Sequence, residues 1–153
     1  AASWELSFPN SRWLLAVITV LHRWLYLWTN GRIGHGSGKR QFLLLNHIGR
    51  KTGRKHVTPL LYVGDGERWI VVASNAGDER DPAWWLNLQS RPEGRIQLRD
   101  RQLSIRARRA SQEECELLWP RLIAAYRSFA TYRTRTRREI PIVILEATGT
   151  PRS

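Results

Sequence analysis

The chain is predicted to fold as a mainly β, α+β domain. About six mostly antiparallel strands would curl into a small barrel, with two or three helices and an apolar helix near the N-terminus. Three observations point there. Short runs with strand periodicity recur from residue 41 onward. Most neighbouring runs are separated by connections short enough for hairpins, and helix-opening Pro or Ser signals occur at only two places in that region. With 153 residues and 42% apolar composition, the chain is large enough for one domain with its own core.

Residues 12–29 contain neither Pro nor Gly and are overwhelmingly apolar, which predicts a helix. Its polar positions Arg12, Thr19, Arg23, Tyr26 and then Asn30 fall in a narrow stripe with His22 on the flank, leaving a very wide apolar face that carries Trp13, Trp24 and Trp28. Two readings stay open: a helix packed on the core, or one lying in a membrane interface with Trp and Arg as anchors. The uncharged part is too short to span a bilayer. No basic region followed by a small-residue cleavage site stands out, so no signal peptide is expected. Four glycines in residues 31–39 mark a connector. We therefore divide the chain into an N-terminal helix with connector, residues 1–38, and a barrel domain, residues 39–150.

Strands are expected at 41–45, 57–63 and 68–74, the last two joined by the tight turn Gly64-Asp65-Gly66. Pro82 is expected to open a short helix over 82–90 from its first helical position. Residues 95–98 and 102–108 alternate apolar and polar around Asp100-Arg101, a second hairpin. Ser111 with Glu114 three residues later forms a capping box, so a helix is expected from there toward Ala130, kinked or divided at Pro120. The apolar run in 141–146 supplies the last strand.

A net charge of +12 calls for an anionic partner: nucleic acid, anionic lipid or a polyanionic small molecule. The cations are concentrated: residues 1–63 hold nine Lys or Arg and a single acid, Glu5. The lone Cys115 excludes an internal disulfide framework and suits a reducing, cytoplasmic setting. It lies between Glu114 and Glu116, whose charge discourages a thiolate. No metal is expected, because His22, His35, His47 and His56 lack ligand spacing; each is read as structural or solvated.

The densest chemistry lies in Gly49-Arg50-Lys51-Thr52-Gly53-Arg54-Lys55-His56, between two strand-like runs. Glycines let the backbone turn and approach a ligand, while Arg, Lys and a hydroxyl supply charge-assisted hydrogen bonds, so this reads as an anion cradle. A second segment, Ser74-Asn75-Ala76-Gly77 followed by Pro82-Ala83-Trp84-Trp85, sets small polar groups beside an aromatic wall, which suits a flat polar heterocycle. Taken alone, it equally fits an ordinary strand-to-helix loop with core tryptophans.

Together the two segments resemble one family. The pattern Gly49-Arg50-Lys51-Thr52-Gly53, Pro59-Leu60, Tyr62, Asp65-Gly66, Ser74-Asn75-Ala76-Gly77, Pro82-Ala83-Trp84 and Asn87-Leu88 is similar to the deazaflavin-dependent nitroreductases. The likeness continues through Trp119-Pro120, Tyr126, Tyr132 and Ile140-Pro141-Ile142-Val143, covering residues 42–146. It implies a split β-barrel that binds the deazaflavin coenzyme F420 non-covalently. The resemblance places the phosphodiester and glutamate tail at Arg50, Lys51, Thr52, Gly53, Arg54 and His56, with Pro59 also in the cofactor site. It sets the ring beside Ser74, Asn75, Ala76 and Gly77, with Ala83 and Trp84 at the edge. Relatives commonly carry Arg where this chain has His56 and a bulkier residue at Ala83.

The implied activity is hydride transfer from reduced F420 to a quinone or other conjugated or nitro acceptor. Ser74, Tyr126 and Tyr132 are the candidates for orienting the acceptor or donating a proton. Tyr126, Phe129 and Tyr132 would face the substrate; their three-residue spacing equally fits helix-face packing. Relatives with nitroreductase activity tend to have Tyr at the Phe129 position, so poor turnover of bulky nitro compounds is expected. An interfacial N-terminal helix would bring the protein to the inner face of the membrane, where isoprenoid quinones reside. The rivals are a split-barrel protein holding FMN or a lipid, and a basic nucleic-acid module. No nucleic-acid partner is expected, because aromatics and cations do not interleave on one predicted sheet face.

Overall fold

A computed structural model describes residues 40–99 and 101–148. The expected N-terminal helix and connector lie outside the described residues, as does Asp100 of the second hairpin turn. Seven strands form one sheet: β1 (Phe42–Ile48), β2 (Lys55–Leu61), β3 (Val63–Asp65), β4 (Arg68–Val72), β5 (Glu93–Gln97), β6 (Gln102–Arg109) and β7 (Ile142–Ala147). Their order is β2-β1-β5-β6-β7-β4-β3, with every neighbouring pair antiparallel. The two outermost strands, β2 and β3, are separated in sequence by Tyr62 alone. A sheet whose opposite edges are consecutive in the chain has to curl until those edges meet, giving the expected barrel-like form.

Side-chain alternation explains how the sheet is filled. In β1 the inward residues Leu43, Leu45 and His47 are buried, and the residues between them are half-buried. β4 and β7 are apolar on both faces for a reason. Trp69, Val71, Val143 and Leu145 join Leu43, Leu45, Ile96 and Ile105 in one core. Ile70, Val72, Ile142 and Ile144 join a second core with Leu118, Leu122, Tyr126 and Phe129. Each buried Leu or Ile contributes about 1.5–3 kcal/mol relative to exposure. Among the described residues, three α-helices accompany the sheet: α1 (Ala83–Ser90), α2 (Gln112–Ala125) and α3 (Ser128–Arg135). Trp84, Trp85 and Leu88 of α1 belong to the first core, while α2 and α3 cover the second.

Several boundaries differ from expectation. The run over 57–63 is two strands: the Tyr62 N–H still donates to Gln41 O at 3.0 Å in the β1–β2 register, but the Tyr126 hydroxyl takes the place of the return bond and ends the ladder there. The first hairpin turns on Gly66 and Glu67 with positive φ at Gly66 only, and Asp65 is its last strand residue. Pro82 caps α1 from outside: its backbone is extended (φ −69°, ψ 150°), and its carbonyl accepts from Trp85 and Leu86 N–H. The capping box at Ser111 and Glu114 forms as read. Pro120, however, lies inside α2 without dividing it. Proline supplies no N–H to the Glu116 carbonyl, but both residues face solvent and water can serve instead. The helix breaks at Tyr126, which is extended (φ −140°, ψ 97°). Its hydroxyl accepts from Gln41 N–H (3.0 Å) and donates to Tyr62 O (2.9 Å), clasping the seam where the sheet edges meet.

Candidate functional site

The cradle loop spans the hairpin between Ile48 and Lys55. Gly49 N–H donates to Arg54 O (2.7 Å), Gly53 N–H to Gly49 O (2.9 Å), and Arg54 N–H to the Thr52 hydroxyl (3.1 Å). A Cβ at Gly49 would sit 2.9 Å from His56 Nε2 and 3.0 Å from Thr52 Oγ1, so any other residue there would push these two exposed side chains aside. The loop opens onto a cavity of about 530 Å³. Of the expected residues, Arg50, Lys51, Thr52, Arg54, His56, Ala83 and Trp84 line it together. Gly53 lies in the same loop, and Pro59 lies on β2 opposite Leu44. Among the described residues, three permanent cations and no carboxylate line this cavity, a donor set that fits a polyanionic cofactor with a flat ring against indole.

His47, Thr58 and Asn87 also line the cavity, and sequence reasoning assigned none of them a ligand role. Asn87 is buried on α1, and its Oδ1 accepts from the Arg50 N–H (3.0 Å) and guanidinium (2.9 Å). Its Nδ2 lies 3.1 Å from His47 Nδ1, and His47 Nε2 lies 2.9 Å from Thr58 Oγ1. The His47 and His56 rings stack with centroids 5.5 Å apart. Burial, and secondarily the nearby His56, lower the His47 pKa to about 4. The available signals were that His47 shares the inward parity of Leu43 and Leu45, and that Asn87 interrupts an apolar helix.

The Ser74 to Gly77 segment forms a distorted turn. Ser74 is right-handed (φ −82°, ψ −29°), and Asn75, Ala76 and Gly77 follow with φ of 48°, 55° and 85°. A right-handed residue followed by a left-handed one directs successive N–H groups toward one point, which suits an oxygen or nitrogen carrying negative charge. Left-handed Asn75 and Ala76 are costly, and surrounding contacts hold them. Arg138 is the principal clamp. Its guanidinium donates to Asp78 O (2.9 Å), Ala73 O and Ser74 O (both 3.1 Å) and the Asp81 carboxylate (2.7 Å). The Arg135 guanidinium adds a bond to Ala76 O at 3.3 Å. In the sequence Arg138 reads only as half of the basic pair Arg137-Arg138, with no sign of this role.

The aromatic trio Tyr126, Phe129 and Tyr132 packs in the second core. Tyr126 is buried, its hydroxyl engages the Gln41 and Tyr62 backbone, and burial holds its pKa above the ordinary phenol value. In this structure the Tyr126 hydroxyl is thus committed to backbone groups of Gln41 and Tyr62, where it acts as a clasp. Phe129 is buried between Tyr126 and Tyr132, with ring centroids at 5.7 and 6.2 Å, as in helix-face packing. Tyr132 is half-buried, and its backbone carbonyl abuts Gly77. Ser74 is buried within the clamped turn. Among the described residues, no group of three or more His, Cys, Asp or Glu could hold a metal ion, and no helix is long and apolar enough to cross a membrane.

Comparison with known proteins places this geometry. A sequence model described as F420H(2)-dependent quinone reductase matches residues 19–147. A Mycobacterium tuberculosis (strain ATCC 25618 / H37Rv) protein, Rv3178, named for the same activity, is 42% identical over 115 residues, covering 74% of this chain and 97% of its own length. The F420H(2)-dependent quinone reductase Rv1261c of the same strain is 35% identical over 143 residues, covering 88% and 96%. The solved F420-H2 dependent reductase FDR-A superimposes with a TM-score of 0.64 at 34% identity, covering 69% of this chain and 94% of its own. Matched over most of its length, and with a cationic cradle opposite an indole wall, the chain belongs to the F420H(2)-dependent quinone reductase family.

Proposed function

We propose that this protein is an oxidoreductase that binds reduced F420 and delivers its hydride to a quinone or similar conjugated acceptor. The observation that carries the proposal is the single cavity joining the Arg50, Lys51 and Arg54 cations to the Ala83–Trp84 shoulder of α1. Bound F420H2 supplies a hydride from C5 of its deazaflavin ring. The guanidinium and ammonium groups hold the phosphodiester and glutamate tail, and Trp84 with the Ser74 to Gly77 turn fixes the ring. The chain's task is to hold donor and acceptor carbons about 3–3.5 Å apart and exclude alternative poses. Ser74 and Tyr132 are the groups left to meet acceptor oxygens, since the Tyr126 hydroxyl is engaged elsewhere.

The proposal extends to the inner membrane face, with residues 12–29 as an interfacial helix that brings the site to lipid-dissolved quinone. Liposome co-sedimentation of the full chain against one lacking residues 1–29 tests that part; equal binding by both overturns it. The cofactor assignment is tested by titrating the protein with F420 and with FMN while following tryptophan fluorescence. Saturable quenching by F420 at lower concentration supports the assignment. Preference for FMN, or salt-sensitive DNA retention without F420 quenching, overturns it.

A further inference from the structure

We propose that His47 and Asn87 form a fixed hydrogen-bond relay that holds the Arg50 head group and turns the Thr58 hydroxyl outward, as an additional donor to an anionic oxygen of the ligand. The proposal rests on the reading that the cavity binds a polyanionic deazaflavin.

The direction of every bond follows from one fixed point. Asn87 receives two Arg50 donors, the backbone N–H at 3.0 Å and the guanidinium at 2.9 Å, so the amide oxygen must face Arg50. The amide nitrogen then faces His47 Nδ1 at 3.1 Å and can only donate, so Nδ1 carries a lone pair. The imidazole proton must sit on Nε2, pointing at Thr58 Oγ1 2.9 Å away. Thr58 therefore accepts from His47 and has its own hydrogen to give. Among the described residues its hydroxyl has no other hydrogen-bond partner, and Thr58 lines the cavity beside Arg50. A protonated His47 would set an N–H against the Asn87 amide N–H, so the relay runs with a neutral ring. Burial of His47 works in the same direction. His47 and Asn87 are thus positioning residues, and Thr58 is a binding residue. Arg50 and Thr58 act as coupled donors, because moving one end of the relay releases the other.

The test measures dissociation constants by tryptophan quenching for three ligands. These are F420, the deazaflavin bearing the phosphodiester but no glutamates, and the deazaflavin riboside lacking both. Thr58→Val, close in shape, should weaken F420 binding about tenfold, the usual effect of losing a hydrogen bond to a charged group. Binding of the riboside should not change. Equal weakening for the first two ligands assigns the hydroxyl to phosphate; weakening for F420 alone assigns it to a glutamate carboxylate. Thr58→Ser should restore binding. His47→Phe should also weaken F420 binding, and the double variant should lose less than the two single effects combined. Unchanged F420 affinity in Thr58→Val, equal loss for the riboside, or strictly additive losses would overturn the relay. If the wild-type protein itself failed to bind F420, the underlying cofactor reading would fall with it.

Discussion

His47 should make the fold sensitive to mild acid in a predictable window. It is 3% exposed, and its pKa is lowered from 6.5 to about 4. Between those values the unfolded chain binds a proton that the folded chain refuses, so stability falls as pH is lowered. The contribution is fully present above about 6.5 and is lost progressively as pH falls toward 4. The full difference corresponds to about 3 kcal/mol, of which about 2 kcal/mol is lost between roughly pH 7.5 and pH 5. Urea unfolding of the wild type and of His47→Gln, followed by tryptophan fluorescence at both pH values, measures it. Carboxylates such as Glu114 titrate in both proteins, so the difference between the two isolates His47. The wild type should lose about 2 kcal/mol more than the variant. Equal losses in both would refute a neutral, buried His47 and with it the direction of the Asn87 bond.

Three further outcomes follow from packing and charge. A Cβ at Gly77 would lie 2.8 Å from Arg135 Cβ and 3.2 Å from Tyr132 O at a φ of +85°, so Gly77→Ala should lower stability by about 2 kcal/mol, read as a reduced melting temperature. Arg138→Met removes the donor for three carbonyls and Asp81; a loss of about 3 kcal/mol is expected in chemical denaturation, with faster proteolysis near Asn75. Glu114, held at a pKa of about 2 mainly by the Arg108 guanidinium and then by Ser111 N–H, stabilises the fold above about pH 4.5, and this is lost as pH falls toward 2. The pair is partly solvent-screened, so Glu114→Gln should cost about 1 kcal/mol near neutral pH and little near pH 2, by urea titration at both.

The sheet was legible where local pattern decides structure. The alternation of Leu43, Leu45 and His47, the apolar runs of β4 and β7, and the Ser111–Glu114 capping box all carry their own explanation. The cationic loop was legible because glycine and charge are local properties. What escaped reading depends on partners far along the chain. The breaks at Tyr62 and Tyr126 are set by hydrogen bonds spanning 64 to 85 residues. His47 and Asn87 are 40 residues apart, and Arg138 reaches 64 residues back to Ser74. A buried Asn, His or Arg states that it needs partners without stating which, so these roles emerge only when the barrel is assembled.

A structure of the protein with F420 bound tests the central claim most directly. The phosphodiester or glutamate oxygens should lie within hydrogen-bonding distance of Arg50, Lys51 or Arg54, with the deazaflavin ring against Trp84 and the Ser74 to Gly77 turn. A tail lying away from those three cations, or a ring seated in the cradle with its tail beside Trp84, would contradict the account.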